Sequence, residues 1–221
     1  MNRILTILIN LIFIASSCRS LRKKSTSDFV PQDYVLYEKL YGDLNINGQE
    51  DCILIIKGND ENNNVVNRFE KIVDRNRRGI IILLNNKGNY QVATKNYNCF
   101  YSENEDGGNY YAPQLSFEVI KGDLIIHFEH GRYGFWSYTF RLLNANFKLI
   151  KYQSSSNYGP IVNRETYINF LTKVKLIKEN INEDDEGNDE VFKDTTSSIK
   201  IDTLIKLSEI KDFEELDMSI Y

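Results

Sequence analysis

The fold of this chain is decided by two stretches, Cys52-Ile-Leu-Ile-Ile56 and Gly79-Ile-Ile-Ile-Leu-Leu84. Both are uninterrupted apolar runs that are rich in β-branched isoleucine. Both are also too short to form a buried helix. The two runs therefore predict buried β-strands.

Segments with strand character continue on the C-terminal side of these runs. Leu115-Ser-Phe-Glu-Val119 and Trp136-Ser-Tyr-Thr-Phe-Arg-Leu142 alternate in the manner of half-buried strands. Turn clusters such as Asn85-Asn-Lys-Gly-Asn89 separate the segments and suit hairpins. Further strands are expected at residues 90–94, 124–128, 147–152 and 167–177, whereas residues 34–41 mix the helix and strand periods.

These patterns predict a mainly β fold, either an antiparallel sandwich or an open barrel-like sheet. One short helix is expected near the C-terminus, because Asp212-Phe-Glu-Glu215 resembles a capped helix start. Residues 33–221 have the length of a single domain. Within that domain, the acidic and polar residues at about 179–198 predict a solvated loop.

The first 18 residues match a bacterial lipoprotein signal, Met1-Asn-Arg-Ile-Leu-Thr-Ile-Leu-Ile-Asn-Leu-Ile-Phe-Ile-Ala-Ser-Ser-Cys18. Arg3 supplies the positive charge, residues 4–14 the apolar segment and residues 15–17 the small residues before cleavage. The pattern predicts that residues 1–17 are removed and that Cys18 carries acyl chains such as palmitate. Residues 18–32 would then form a lipidated tether, and the membrane would be a partner through this anchor.

Two alternatives to lipidation remain open: an uncleaved membrane anchor, and a signal cleaved at an unlipidated site. A membrane-spanning helix needs roughly 20 apolar residues, and this run is about half that length. The expected location is the cell envelope. The residues that follow Cys18 are basic, which favours attachment facing the periplasm over display at the surface.

The charge of the chain excludes one class of partner. The whole sequence carries 27 Lys and Arg against 31 Asp and Glu, a net charge of −4. Removal of residues 1–17 takes away Arg3 and no acidic residue, so the mature chain is slightly more acidic. Nucleic acid is therefore not an expected partner, since phosphate binding needs clustered positive charge.

Cys52 and Cys99 remain as a pair if Cys18 is lipidated. In an oxidising envelope they could form a disulfide. The alternative is that Cys52, inside its apolar run, is a buried free thiol. Spacing in the sequence does not decide between these, because it does not give the separation of the Cα atoms.

The sharpest local motif is Gly42-Asp-Leu-Asn-Ile-Asn-Gly-Gln-Glu-Asp51. It places oxygen-bearing side chains at every second residue, followed by a glycine and a further carboxylate, as calcium-binding loops do. The predicted Ca²⁺ ligands are Asp43, Asn45, Asn47, Gln49 through its carbonyl, and Asp51. Calcium is the one cofactor that the sequence suggests.

The same motif also fits a turn without metal. Leu54 stands where an EF-hand carries its bidentate glutamate, and a strand follows instead of a helix. In this alternative the loop is an Asx-rich turn between two strands, with Asn47-Gly48 in the left-handed conformation.

The same motif also resembles a segment of known proteins. The D-L-N-x-N-G-x-x-D segment that begins at Asp43, followed by an apolar strand, resembles the repeat unit of FG-GAP-type proteins. More broadly, the chain resembles uncharacterised lipoproteins of Bacteroidota-type bacteria, which combine such a loop with a lipoprotein signal and an aromatic strand like Trp136-Ser-Tyr-Thr-Phe-Arg141. The resemblance implies export and a β-rich domain, and it implies no particular reaction.

An aromatic block is the best candidate for a binding surface. Trp136, Tyr138 and Phe140 lie on one face of the predicted strand, and exposed aromatics can stack on a sugar, a peptide or a partner protein. The alternative is that the block belongs to the core. The candidate binding residues are Arg132, Tyr133, Phe135, Trp136 and Tyr138.

Two functions follow. The first is a non-catalytic binding or interaction module of the cell envelope, with an envelope protein or glycan as partner. The second is a hydrolase of envelope glycan or peptide that uses carboxylates near Glu103, Asp106 and Glu129. The first is favoured because the sequence offers no nucleophile–base pair, and His127 and His130 fall on opposite faces of their strand.

Overall fold

The structure is a computed structural model that describes residues 25–106, 111–182 and 190–221. The predicted signal, the lipidation site Cys18 and the first part of the tether lie outside these ranges. Within the described ranges, no helix is long and apolar enough to cross a membrane.

The described residues form strands joined by short loops and single 3-10 turns. In chain order the strands are β1 (Tyr34–Gly42), β2 (Asp51–Gly58), β3 (Asn64–Val66), β4 (Ile72–Asp74), β5 (Arg78–Asn86), β6 (Asn89–Phe100), β7 (Gln114–Ile120), β8 (Asp123–Glu129), β9 (Gly134–Leu143), β10 (Asn146–Tyr158), β11 (Ile161–Asn169), β12 (Val174–Asn180) and β13 (Phe192–Ser198).

Two antiparallel sheets pack as a sandwich, which confirms the predicted mainly β fold and selects the sandwich over the barrel-like sheet. The short sheet has the order β1-β2-β5-β6, and the long sheet has the order β13-β12-β11-β10-β9-β8-β7. Strands β3 and β4 form a separate hairpin between β2 and β5. Neighbours in sequence are mostly neighbours in the sheets, as expected for strands joined by short turns.

The two apolar runs form the paired central strands of the short sheet. Cys52 lies opposite Leu83, and Ile56 opposite Gly79. Alternate residues of both strands pack into the core between the sheets, and the others form a second apolar cluster on the outer face of the short sheet. The runs are uninterrupted because both faces of these strands are covered. The outer cluster is covered by Phe29, Val30, Tyr34, Tyr90 and Tyr97.

The two described cysteines are free thiols, so the disulfide alternative is corrected. Cys52 belongs to the outer cluster, whereas Cys99 belongs to the core between the sheets. The short sheet thus separates the two side chains. Burial raises the pKa of both thiols, which keeps them protonated and poorly reactive.

The expected C-terminal helix is absent from the described residues, which contain only the 3-10 turn Leu207–Glu209 in that region. Asp212 Oδ1 accepts a hydrogen bond from the backbone N–H of Glu214, an Asx turn rather than a helix start. The backbone of the tail bonds to other strands, for example from Phe213 N to the carbonyl oxygen of Cys99. Several of its backbone groups therefore bond to tertiary partners instead of forming a helix.

Phe213 is the reason why this irregular tail is fixed in place. Its ring stacks on Phe100 with centroids 4.9 Å apart and meets Tyr138 edge-on at 5.0 Å. Phe128 and Phe140 complete the cluster. The tail thus places an aromatic ring at the centre of the core. Large rings in such positions bury a large apolar area.

The predicted polar loop at about residues 179–198 is corrected at both of its ends, because β12 extends to Asn180 and Phe192–Ser198 is strand β13, while residues 183–189 of this prediction lie outside the described ranges. This strand pairs with β12 at the edge of the long sheet and is exposed along most of its length. An edge strand with nothing packed on its faces needs no apolar residues, so its sequence carries no alternation.

Candidate functional site

The 43–51 turn joins β1 to β2, and its polar side chains are used by the turn itself. Asp43 Oδ2 accepts a 2.7 Å hydrogen bond from Gly48 N, and its Oδ1 accepts one of 3.0 Å from Asn47 N. Asn45 Oδ1 also accepts from Asn47 N, and Asn47 Oδ1 accepts from Gln49 N. These are the bonds of successive Asx turns.

Asp51 ties the turn to the rest of the short sheet. It is completely buried, and its Oδ2 accepts a 2.8 Å hydrogen bond from Leu44 N. Its Oδ1 accepts a second 2.8 Å bond from Asn85 N, near the end of β5. Desolvation raises the pKa of this carboxyl, while the backbone hydrogen bonds that it accepts oppose the rise.

The geometry of the 43–51 turn favours the turn alternative over calcium. The side-chain oxygens of Asp43, Asn45, Asn47 and Asp51 all accept backbone hydrogen bonds. The left-handed residues are Ile46, at φ 56°, and Gly48, at φ 79°, so Asn47 does not take the expected conformation. Across residues 25–106, 111–182 and 190–221, no group of three His, Cys, Asp or Glu side chains could hold a metal ion.

The aromatic block that was predicted as one surface is divided among three environments. Tyr138 is buried in the core against Phe213. Trp136 is half-buried and stacks on Phe128 with centroids 5.2 Å apart. Phe135 lies on the opposite face of β9, beside His127. Only Arg132 and Tyr133 remain at the end of the sandwich.

Arg132 and Tyr133 lie in the 3-10 turn Gly131–Tyr133 between β8 and β9. The turn ends at Gly134, at φ 102°, where an added Cβ would stand 2.0 Å from the carbonyl oxygen of Ser155. The chain therefore passes against β10 where no side chain fits. This close approach fixes the position of the two preceding side chains.

A cavity of about 360 Å³ lies beside this turn. It is lined by Arg132 and Tyr133 on one side and by Tyr111 and Gln114 on the other. Tyr111 is 90% exposed, an unusual state for so large an aromatic residue. His130 also lines the cavity, and its ring lies 5.3 Å from that of Tyr133.

The β3–β4 hairpin extends the same surface. Phe69 at its tip is 65% exposed, and the guanidinium of Arg68 lies 4.9 Å from the centre of its ring. A second cavity, of about 400 Å³, lies between the hairpin and Tyr111. Because Tyr111 lines both cavities, the surface is continuous. We call it the aromatic end, defined by Arg68, Phe69, Tyr111, Arg132 and Tyr133.

A network of ion pairs lies next to the aromatic end. Lys57 is buried, and its Nζ lies 2.8 Å from Asp74 and 2.6 Å from Glu103. Desolvation alone would lower the pKa of Lys57, but its two carboxylate partners raise it. Arg75 forms an ion pair with Asp106 at 2.5 Å, and the guanidinium lowers the pKa of Asp106.

The carboxylates predicted for hydrolysis line the two cavities of the aromatic end, Glu129 the first and Glu103 and Asp106 the second, but each is paired with its own partner. Glu103 is paired with Lys57, and Asp106 with Arg75. Glu129 lies on the outer face of the long sheet, 3.3 Å from His127 Nε2. The three acids therefore have three separate partners, and two of those partners are permanent cations.

Sequence reasoning missed Phe69 and Glu214. The strands β3 and β4 have three residues each, too few to show alternation, and Phe69 within Asn67-Arg-Phe-Glu70 was the only signal. Glu214 lines a cavity of about 240 Å³ with Ser102, Tyr101 and Glu105. Desolvation and the nearby Asp212 raise the pKa of its carboxyl, although the residue is exposed and solvent screens the effect.

Comparison of the chain with protein-family models, with curated proteins and with solved structures finds no match in any of the three.

Proposed function

We propose that this protein is a non-catalytic binding module of the cell envelope, held to a membrane by a lipid on Cys18, and that its aromatic end contacts another envelope protein. The observation that carries the proposal is the exposure of Tyr111 between two cavities, with exposed Phe69 and Arg132 on either side. Tyrosine and arginine are enriched among the residues that dominate protein interfaces.

The support beneath this surface is consistent with such a role. The buried Lys57 joins Asp74, at the end of the β3–β4 hairpin, to Glu103, and Arg75 pairs with Asp106 beside that hairpin. A surface that is rigid before binding loses less conformational entropy when the complex forms. The aromatic end therefore combines exposed anchor residues with a fixed base.

The arrangement of the carboxylates argues for binding rather than catalysis. General acid–base chemistry needs two groups whose environments separate their pKa values within reach of one substrate. Glu103 and Asp106 instead neutralise cations, and Glu129, which lines the first cavity, lies beside His127. Among the described residues, no serine or cysteine is hydrogen-bonded to a histidine that could activate it.

The binding surface is tested by capture of partners from envelope membranes of the native host. The bait is the full-length chain, compared with the double variant Tyr111→Ala/Arg132→Ala. The matched control, Tyr41→Ala/Lys121→Ala, removes a tyrosine and a cation from the opposite end of the sandwich. We expect a protein that is retained by wild type and control and reduced about tenfold or more by the double variant. Equal retention by all three baits would contradict the proposal.

The anchor is tested separately by metabolic labelling with palmitate. Wild type should incorporate the label, and Cys18→Ala should not, because the acyl chains need the cysteine thiol and amino group. Equal labelling of the two proteins would contradict lipidation. The result leaves the test of the aromatic end unaffected.

One observation favours a second candidate, an envelope hydrolase. Glu214, whose pKa is raised by desolvation, shares a cavity with Glu105, and two carboxyl groups in one cavity are the residue types that an acid–base pair uses. If this candidate is correct, wild type should release soluble fragments from host envelope glycan or peptide and Glu214→Gln should not. No release by wild type would leave the binding module as the account of this protein.

A further inference from the structure

The outer face of the long sheet carries a groove that the proposed function does not use. A single row of residues crosses four strands in register: Thr139 on β9 pairs with Lys151 on β10, which pairs with Asn169 on β11, which pairs with Val174 on β12. Since side chains of paired residues project from the same face, these four lie side by side. This row faces away from the sandwich core.

The groove has the size of a ligand site. Its volume is about 540 Å³, which lies within the range of roughly 300–1,000 Å³ that is typical of small-molecule sites. It is also larger than the cavities at the aromatic end. Tyr167, Leu176 and Val174 supply apolar lining, and Thr139, Lys151 and Gln153 supply polar lining.

The polar groups of the groove are available to a ligand. Within the described part of the chain, the side chains of Thr139, Lys151 and Gln153 make no hydrogen bond or ion pair to the protein. Asn169, by contrast, is occupied, because its Oδ1 accepts from the backbone N–H of Leu171 and of Thr172.

The apolar and polar side chains that line the groove favour some classes of ligand over others. An acyl chain would cover Thr139 and Gln153 without satisfying their hydrogen bonds, which is costly. An extended peptide could not add to the sheet here, because β10 and β11 are already paired on both sides. A sugar ring has an apolar face that packs on an aromatic residue and hydroxyl groups at its edges.

The charge of the groove distinguishes between neutral and acidic saccharides. Lys151 is exposed, and its cross-strand neighbours Thr139 and Asn169 are neutral. Among the residues that line it, the groove therefore offers one unpaired positive charge beside its amide and hydroxyl groups, while the carboxylate of Glu165 is hydrogen-bonded to the Tyr167 hydroxyl at its margin. We propose that it binds an acidic saccharide, with a sugar ring against Tyr167, hydroxyl groups on Gln153 and Thr139, and a carboxylate on Lys151. This site is independent of the aromatic end.

The test measures binding of the full-length chain to defined hexasaccharides by isothermal titration calorimetry. The acidic probes are oligomannuronate, oligogalacturonate and hyaluronan fragments, and maltohexaose is the neutral probe. We expect at least one acidic probe to bind about tenfold more tightly than the neutral probe, with an affinity that falls as salt increases.

Variants locate the binding in the groove. Lys151→Met should reduce the preference for the acidic probe to less than about threefold, and Gln153→Ala and Tyr167→Ala should weaken binding about tenfold. The matched controls are Lys193→Met on the edge strand β13 and Tyr158→Ala, a tyrosine that is 72% exposed outside the groove. Gln153 is exposed, so its variant remains informative if Tyr167→Ala fails to fold. No preference for any acidic probe, or equal losses in groove and control variants, would overturn the proposal.

Discussion

The two ends of the sandwich are built from similar polar residues and use them in opposite ways. In the 43–51 turn, the side-chain oxygens of Asp43 and Asp51 accept backbone hydrogen bonds, and Asp51 is completely buried. At the aromatic end, the carboxylates pair with cations, and Phe69, Tyr111 and Arg132 project into solvent. The first end uses its polar groups within the turn, whereas the second leaves aromatic and basic side chains exposed to solvent.

The comparison of the two ends shows that a ligand-like spacing of residues is not sufficient evidence of a ligand site. The D-x-N-x-N-G-x-x-D spacing arises equally when a tight turn must satisfy its own amide groups. What distinguishes a binding surface is side chains that the protein does not use. By that criterion, the aromatic end is the better candidate for a binding surface, although its sequence motif is weaker.

The largest effect on stability is expected from Asp51→Ala. The variant leaves the buried amide groups of Leu44 and Asn85 without an acceptor, which should reduce the free energy of unfolding by about 2–5 kcal/mol. Asp43→Ala, in the exposed part of the same turn, should cost about 1 kcal/mol. Urea unfolding measures both values. Similar losses would show that Asp51 is not the fixed point of this end.

The next effect concerns the base of the aromatic end. Lys57→Met removes a buried cation but leaves Asp74 and Glu103, which are partly exposed and can be hydrated. We expect a loss of about 1–2 kcal/mol, below the range for a fully buried pair. Lys206→Met breaks the exposed pair with Glu209 and should cost less than about 0.5 kcal/mol. Equal losses in urea unfolding would show that the network is not structural.

A smaller effect depends on pH. Desolvation would raise the pKa of Asp74, but hydrogen bonds from Lys57 and Asn76 lower it overall. A lowered pKa stabilises the fold above the unfolded-state pKa, and the contribution is lost as the pH falls through the folded-state pKa. Asp74→Asn should therefore cost about 0.5 kcal/mol at pH 7, because the pair is partly exposed, and progressively less below about pH 4. A cost that is constant down to pH 2 in urea unfolding would contradict this assignment.

The smallest expected effect is that of calcium on the 43–51 turn. Ligand binding to the folded state alone raises stability with ligand concentration. Since the turn's oxygens already accept backbone hydrogen bonds, millimolar Ca²⁺ should leave the melting temperature unchanged. A rise in wild type that is absent from Asp43→Ala/Asp51→Ala would establish a calcium site and remove the contrast between the two ends.

The sequence predicts the strands of the fold where burial imposes a pattern. The apolar runs of β2 and β5 and the alternation of β7 and β9 identify those strands directly. It does not predict β13, because an exposed edge strand has no apolar face. The tail is also beyond sequence patterns, since Phe213 is fixed by contacts with four distant rings.

The sequence predicts only part of the candidate site, because only part of it lies next to a strand with a clear pattern. Arg132 and Tyr133 stand beside a recognisable aromatic strand, so they could be named from the sequence. Phe69 lies in a hairpin with strands of three residues, too short to have a period. The groove on the long sheet depends on the register of four strands, and a one-residue slip would separate Gln153 from Tyr167. Register of this kind is a property of the assembled sheet.

The most direct test of the contrast between the two ends is site-specific photo-crosslinking in the native host. A photoreactive phenylalanine derivative replaces Tyr111 at the aromatic end in one strain and Tyr41, which lies beside the 43–51 turn, in another. Both positions are exposed tyrosines in the wild type, so the probe perturbs them similarly. If the aromatic end contacts a partner, we expect a discrete crosslinked protein adduct from position 111 and none from position 41. An adduct from position 41 alone, equal adducts from both positions, or none from either would contradict this expectation.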